Sequence, residues 1–424
     1  MSSIWNKIKL ALGDRDLRSK ILFVLFALIL FRLGATIPVP GVDRVALEKF
    51  FSGSQFFGLM DIFSGGGLSN LSIFMLGVGP YITASIIMQL LTMIFPKMKE
   101  MYQEAGSAGK LQFAQYSRLL SVPLAFLQGF SFLTLLGNQG VLLANATLFD
   151  KFVMAIVITA GSTLLMWIGE LITEYGIGNG LSLIIFSGIV ARIPSLTSEL
   201  AFKFDVSQIP TYLGFLVVAI VIVAGVVVIS EAERPIPVTY AKRVRGNKVY
   251  GGTSTYLPLR VNQAGVIPII FALSFLLFPQ MILNFMLSLK NETLTIISDF
   301  LLSLYNNQFI YGSLYFLLVV LFTYFYTAVT FDPDSISSNL QKSGAFIPGI
   351  RPGVPTTDYL NTVLVRLTLV GSVFLGFIAI LPLIMTAAMG DSSLAIGGTA
   401  LLIVVSVVLE LVRQIDAQVS MREY

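Results

Sequence analysis

Histidine and cysteine are both absent from the chain, which removes the side chains most used for zinc binding, thiol nucleophilicity and imidazole proton transfer. No GxxxxGK[ST] loop is present either, so the sequence offers no phosphate cradle for a nucleotide. Ionisable residues inside the long apolar stretches are few. Arg32 is the main one, and Glu170, Glu174 and Glu410 fall near the ends of such stretches. One buried cation does not make an ion or proton relay, so a structural role is expected for Arg32, paired or snorkelling. A solvated position is expected for the glutamates. No Ser/Lys or paired-aspartate arrangement is evident, and no catalytic residue, metal site or cofactor is assigned.

What the apolar stretches carry instead is aliphatic and small polar side chains at helical spacing. Val78 and Ile82 are four apart, and Ser85 and Gln89 lie three and seven beyond Ile82. On a helix all four share one stripe. By spacing alone the stripe is ordinary helix packing through small and polar residues. Directly before it, DIFSGGGLSN (61–70) has the composition of a turn. The segment 56–67, FFGLMDIFSGGG, is a short helix candidate, well below the roughly 20 residues a bilayer requires.

These residues must be positioned by membrane helices. The 424 residues are 55% hydrophobic and only 12% charged, against about one-quarter charged in soluble domains. The fold class expected is all-α and polytopic. Ten spans are read at 21–37, 71–95, 117–136, 152–172, 179–194, 211–230, 264–286, 309–329, 365–385 and 396–413. With the amino terminus in the cytoplasm, the inner segments hold 20 Lys and Arg and the outer loops hold six. The positive-inside rule therefore places both termini in the cytoplasm. The basic, amphipathic start, MSSIWNKIKLALGDRDLRSK, is expected to lie on the membrane surface, with no cleavable signal peptide. A division near 195–210, in a polar outer loop, gives halves 1–200 and 201–424 of five spans each. Because five is odd, the halves sit inverted in the membrane, an arrangement that builds a pathway at the repeat interface.

Two long inner loops complete the outline. Loop 231–263 alternates polar with β-branched and aromatic residues around Gly246-Asn247, which predicts a hairpin. Loop 330–366 contains SGAFIPGIRPGVPTTDYL, where Pro and Gly form turns that display Arg351. Their length suits a docking platform for a large partner.

Seven segments carry a family resemblance: FRLGATIPVPGVD (31–43), residues 61–91, TEYGIGNGLSLIIFSGIVA (173–191), YAKRVRGNKVYGGTSTYLPLRVNQAGVIP (240–268), SGAFIPGIRPG (343–353), RLTLVG (366–371) and GGTALLIVV (397–405). Over essentially its whole length the chain resembles the SecY family, the protein-conducting channel subunits of the bacterial Sec translocon. The resemblance implies two inverted five-helix halves around an hourglass pore, sealed by a plug helix and opened sideways at a lateral gate. Carried over by position, the pore ring is Val78, Ile82, Ile185, Ile270 and Ile403. The plug and its hinge include Phe57, Ile62, Phe63, Gly65, Gly66 and Gly67. The gate sets the second and third spans against the seventh and eighth, with Thr83, Gln89, Asn262 and Ser274 as polar members, each worth roughly 0.6 to 2 kcal/mol across a seam. Lys242, Arg243, Arg245, Lys248 and Arg351 are the implied docking residues.

The partners implied are the small membrane subunits SecE and SecG, the SecA ATPase or the ribosome, a signal-bearing polypeptide and membrane lipid, with no direct DNA binding. The implied location is the bacterial cytoplasmic membrane. In one place the chain departs from the family: the loop KEMYQEAGSAGKLQFAQYSR has Lys110 as its only cation between Lys99 and Arg118, where relatives are more basic. The expected function is passive conduction of secretory polypeptides, with sideways release of apolar segments into lipid. A secondary transporter built from inverted repeats is the alternative, and it would require ionisable residues at the midplane. An intramembrane protease or transferase is disfavoured by the missing His and Cys.

Overall fold

A computed structural model describes residues 13–40, 64, 66–68, 71–103, 106–138, 140–142, 147–202, 209–241, 243–245, 248–250, 254–288, 292–389 and 397–420. The first half contributes α1 (Arg15–Ala35), α2 (Gly79–Ile94), α3 (Pro96–Gln103), α4 (Gly106–Asn138), α5 (Leu148–Tyr175), α6 (Gly180–Val190) and α7 (Ile193–Phe202). The second half opens with α8 (Ile209–Glu231), followed by β1 (Glu233–Tyr240), β2 (Arg243–Arg245), β3 (Lys248–Tyr250) and β4 (Ser254–Arg260). It continues with α9 (Ile267–Ser288), α10 (Glu292–Asn306), α11 (Gln308–Thr330), α12 (Pro333–Lys342), β5 (Ala345–Phe346), α13 (Val354–Met389) and α14 (Gly397–Ser420).

Each of the ten expected apolar segments falls on a helix: α1, α2, α4, α5, α6, α8, α9, α11, α13 and α14. By length and composition α4, α5, α13 and the run from α11 into α12 can each cross a bilayer unaided. The pair α2 and α3 qualifies together, with a bend of 116° between them. The outer faces are apolar. On α1, Leu22, Phe26, Ile29 and Leu33 form one stripe, each more than half exposed, while Leu17, Ala27 and Phe31 are buried. An uncovered apolar stripe of this kind suits hydrocarbon rather than water.

Helix starts are set by side-chain caps. Asp14 caps α1, Asn179 caps α6, Asn307 caps α11, and Asp332 caps α12 with Pro333 beside it. Each accepts from backbone N–H groups that the helix leaves unpaired, worth about 1 kcal/mol. At α5, Thr147 and Asp150 form a reciprocal capping box. The Thr147 hydroxyl and backbone N–H, both bonded to the Asp150 carboxylate, hold that carboxyl below its usual value.

Several boundaries differ from expectation. The segment 71–95 is helical only from Gly79, and residues 71–78 form a chain of tight turns. Leu71 is held at a φ of 40°, and the Gly77 carbonyl accepts from the Ser162 hydroxyl at 2.9 Å rather than from a helix. Pro80, lacking an N–H, sits where a helix starts. Hydropathy registers the apolar content of 71–78 but not its backbone. Gly161 on α5 makes the packing possible, since a Cβ there would strike the Ile73 carbonyl. The described residues of the expected loop 96–118 lie in α3 and the first turns of α4. The outer loop at 195–210 begins inside helix α7. Helix α13 starts at Val354 rather than near 365, and its 36 residues extend about 54 Å, beyond the ~30 Å hydrocarbon core.

The hairpin expected in loop 231–263 is present. β1 runs antiparallel to β4, from Glu233 opposite Arg260 to Thr239 opposite Ser254, and β2 pairs with β3 up to Arg245 opposite Lys248. β5 adds to the other edge of β1, giving the order β4-β1-β5. One sheet thus joins the two long loops. Its inward residues Ile236, Val238 and Leu259 pack with Ala345, Ile347, Leu360 and Val363 in a core of their own. Period-2 alternation along β1 buries Ile236 and Val238 on one face.

Candidate functional site

The five expected ring residues come from four places in the chain and meet in one apolar cluster. Val78 immediately precedes α2, Ile82 lies in its first turn, and Ile185, Ile270 and Ile403 come from α6, α9 and α14. Their exposures are 0%, 6%, 1%, 5% and 1% respectively. Both halves contribute, because α9 packs on α2 and α4 while α6 packs on α14. Four of the five are isoleucines, and all five are β-branched and stiff at χ1.

A polar cavity of about 420 Å³ opens on one side of this cluster, lined by Asn262, Gln263, Arg260, Glu410, Arg413 and Gln414 among others. Ser182, Val266 and Ser406 also line it. Each is three or four residues, about one helical turn, from Ile185, Ile270 or Ile403. The cavity thus adjoins the apolar cluster, with which it shares Val266.

On the plug side, Phe57, Ile62, Phe63 and Gly65 lie outside the described residues, as does the amino-terminal surface segment up to residue 12. Gly66 and Gly67 are buried in a turn, Gly66 with a φ of 83° that a Cβ would strain. The turn is well bonded: the Leu68 N–H donates to Ser64 Oγ at 2.9 Å, and the Ser72 N–H donates to the Gly67 carbonyl at 2.8 Å. Two further bonds tie it to the end of α1, from Ile73 N–H to the Ile37 carbonyl at 3.0 Å and from Val39 N–H to the Leu71 carbonyl at 2.8 Å.

Arg32 lies beside this turn: a Cβ added at Gly66 would come within 3.6 Å of its Nη1. Its Nη2 donates to the Ser187 carbonyl at 2.9 Å and the Gly188 carbonyl at 3.2 Å. These carbonyls belong to the last turn of α6, the negative end of its dipole. Arg32 thus has the structural role expected, holding α1 to the helix that carries Ile185. Replacing Arg32 with Met is expected to cost about 1–3 kcal/mol, the penalty for stripping a charged donor from buried acceptors. Arg32→Lys is expected to recover only part, since an ammonium lacks the planar fork. Thermal unfolding of the purified chain checks this, and an unchanged midpoint for Arg32→Met would remove the role.

At the gate, Thr83, Asn262 and Ser274 are buried, at 9%, 8% and 7% exposure. Thr83 donates to the Gly79 carbonyl of its own helix at 3.0 Å, and Asn262 Nδ2 donates to the nearby Gly265 carbonyl at 3.2 Å. Neither bond crosses the seam. Gln89 Oε1 and Asn262 Oδ1 are buried and accept no hydrogen bond among the described residues. The contact between α9 and α2 or α4 is thus mainly apolar. By contrast, α9 is tied to α11 through edge-to-face rings: Phe271 with Phe322 and Tyr326, and Phe275 with Phe322, at centroid distances of 6.1, 6.0 and 5.7 Å. Such pairs are worth about 0.5–1.5 kcal/mol each beyond burial.

Arg351 is exposed on a fixed corner. Ile350 packs into the sheet core, the Arg351 carbonyl accepts from the Thr356 hydroxyl at 2.9 Å, and Ser337 donates to the Gly353 carbonyl at 2.8 Å. Arg243, Arg245 and Lys248 lie on the short β2–β3 hairpin, and Lys242 is outside the described residues.

Sequence reasoning missed two pairings, Arg413 with Glu231 at 2.6 Å and Arg118 with Glu170. Glu170, expected to be solvated, accepts from Arg118 Nε at 2.6 Å, with its side chain 20% exposed. The partners are 52 residues apart in the chain, and no local pattern joins them. Glu174 and Glu410 are exposed, as expected.

The SecY family model matches residues 72–412 of this chain. The protein translocase subunit SecY of Mycobacterium tuberculosis (strain ATCC 25618 / H37Rv) is 44% identical over 428 residues, covering 96% of this chain and 96% of that protein. A solved protein-conducting channel is similar with a TM-score of 0.66 at 20% identity, over 95% of this chain and 92% of that one. Sec61 in the canine ribosome–channel complex from the endoplasmic reticulum gives a TM-score of 0.64 at 19% identity, again over 95% and 92%. The two structural likenesses establish a shared fold.

Proposed function

This chain belongs to the SecY family, and on that premise we propose that it is a passive protein-conducting channel of the bacterial cytoplasmic membrane. It threads secretory polypeptides through its centre and releases apolar segments sideways into lipid. The observation that carries this reading is the apolar cluster beside the polar cavity. Five aliphatic side chains from both halves of the chain are buried together in it, with no ionisable residue among them.

An aliphatic constriction is poorly wetted, so ions and water cross it reluctantly while it is shut. When it opens, dispersion contacts let the same side chains close around an extended polypeptide of any sequence. The plug at 56–67 covers the ring, with Gly65, Gly66 and Gly67 as its attachment. The turn that Ser64 and Ser72 hold in place is the fixed end from which the plug moves. The halves 1–200 and 201–424 are inverted relative to one another, and both termini are cytoplasmic. The sheet that joins the two long loops then faces the cytoplasm as a single platform for the SecA motor or the ribosome. SecE and SecG accompany the chain in the membrane. The chain is not itself an enzyme, and the energy for transport is supplied by these partners or by the proton gradient.

The gate reading fits the seam. A largely apolar contact between α9 and α2 or α4 is one that an apolar signal helix can enter and replace, shifting the population toward the open state. The test is reconstitution of the chain with its small subunits and motor in liposomes. A signal-bearing preprotein should become protected from external protease only with motor and ATP. Protection independent of the motor, or gradient-driven uptake of a small solute in its place, would favour the transporter reading.

A further inference from the structure

We infer that α10 is an interfacial helix whose face of Ile296, Ile297, Phe300 and Leu304 is seated in membrane lipid, in the leaflet opposite the sheet. The inference takes its membrane setting from the channel reading, whereas the division of the helix into faces is read from geometry.

The position of α10 follows from the sheet. β4 leads into α9, and β5 follows α11 and α12. Both strands flank β1 in one sheet, and α9 packs along α11. The two helices therefore run away from the sheet and back, and α10 joins them at the far end. Residues 289–291 separate it from α9, and Asn307 alone separates it from α11. Its 15 residues reach about 22 Å, too short to cross ~30 Å of hydrocarbon. The helix is thus confined to one membrane surface.

The side chains of α10 fall into three sectors. Leu294, Thr295, Ser298, Leu301, Leu302 and Tyr305 are buried or half-buried and face the protein. Glu292, Asp299 and Ser303 are exposed at intervals of seven and four, which makes one polar stripe. Ile296, Phe300 and Leu304 are exposed four apart with Ile297 beside them, and Ile296 and Phe300 are each 65% exposed. In water, this last sector would forfeit the burial of four large apolar side chains. A helix lying at a membrane boundary against protein needs all three sectors: one for the protein, one for headgroups and water, one for acyl chains.

Two further observations identify the occupant as lipid. Across Asn307 the apolar sector leads into the exposed stripe of α11, where Ile310, Leu314, Leu317 and Leu321 recur at helical spacing. The run from α11 into α12 is long and apolar enough to cross a bilayer, so its uncovered stripe lies in hydrocarbon. The α10 sector extends that surface along the chain and is not an isolated patch. In addition, α10 contains no Lys or Arg. It lacks the basic residues that would hold an anionic headgroup, so it engages lipid by apolar burial whatever the headgroup charge.

The chain contains no cysteine, so single nitroxide labels can be placed at 296, 299, 300, 303 and 304 in the full channel complex in nanodiscs. Collisions with oxygen report lipid, and collisions with a water-soluble nickel chelate report water. Labels at 296, 300 and 304 should favour oxygen, and those at 299 and 303 should favour nickel. The pattern should be the same in purely zwitterionic lipid and in a mixture with anionic lipid. Phe300→Asp removes one anchor and should raise nickel access at 304 roughly tenfold, the loss of one buried aromatic side chain. Nickel access at 296, 300 and 304 equal to that at 299 and 303 would overturn the inference, since water then covers the face. Low access to both reagents would overturn it as well, because a protein partner then covers the face. A pattern present only with anionic lipid would refute engagement by apolar burial. If the variant labelled at 300 fails to accumulate, those at 296 and 304, one turn to either side, decide. The measurement needs no transport, so a chain that passes no preprotein would refute the channel reading and leave the accessibility pattern to decide this one.

Discussion

Replacing Ile82 or Ile270 with asparagine is expected to make the resting channel leak ions and to relax its requirement for a signal sequence. Both side chains are about 95% buried in the apolar cluster that both halves share. Exchanging a buried isoleucine for a polar side chain forfeits about 2 kcal/mol of burial, or about thirtyfold in the ratio of closed to open states. The asparagine amide also gives water a partner at the level where the constriction must stay dry. The two effects act in the same direction, and neither requires the helices to unfold. Membrane conductance and the passage of a signal-less preprotein should rise together. Ile82→Val, which keeps the stiff branched shape, should change both far less. Wild-type conductance and wild-type signal discrimination in the asparagine variants would remove these residues from the seal.

The second large effect is expected at the other end of the bundle. Arg351→Glu should abolish most motor-driven transport while leaving the membrane fold intact. The side chain is exposed, and its backbone is held by Thr356, Ser337 and the packing of Ile350, so reversal changes the charge presented to a partner and little else. An arginine anchor in an interface is worth about 2 kcal/mol or more, which corresponds to about thirtyfold in affinity. Reversal adds repulsion to that loss. ATP-dependent transport measured against motor concentration checks this, with thermal unfolding as the control for folding. Normal transport at every motor concentration would dismiss Arg351 as a docking residue.

The sequence carried the helices and the ring on different grounds. Nine of the ten apolar segments were legible because hydropathy reports burial in lipid. The tenth, 71–95, was legible in composition and misleading in backbone, since the Gly77 and Pro80 interruption produces turns up to Gly79. Spacing placed only Val78 and Ile82 on one stripe. Ile185, Ile270 and Ile403 came from the family resemblance, because residues brought together from three other helices leave no periodic trace. The β1–β4 hairpin was readable from its alternation, whereas β5, only two residues long, was not, and with it the joining of the two loops went unseen. Helix α10 was missed although its pattern was available: Ile296, Phe300 and Leu304 repeat every four residues and lie exposed on one stripe. The Arg118–Glu170 pair is a contact of tertiary structure with no local signature, and expecting Glu170 to be solvated was the bland default for a glutamate near a helix end.

The central claim, that a polypeptide passes through the ring formed by both halves of the chain, is tested most directly by stalling a secretory chain in proteoliposomes. Photoreactive probes at residues 82, 185, 270 and 403 are then asked whether they reach it. The account predicts crosslinks from all four positions to the same stalled segment. Crosslinks from none of the four, with the chain nonetheless protected from protease, would place the path elsewhere and contradict it.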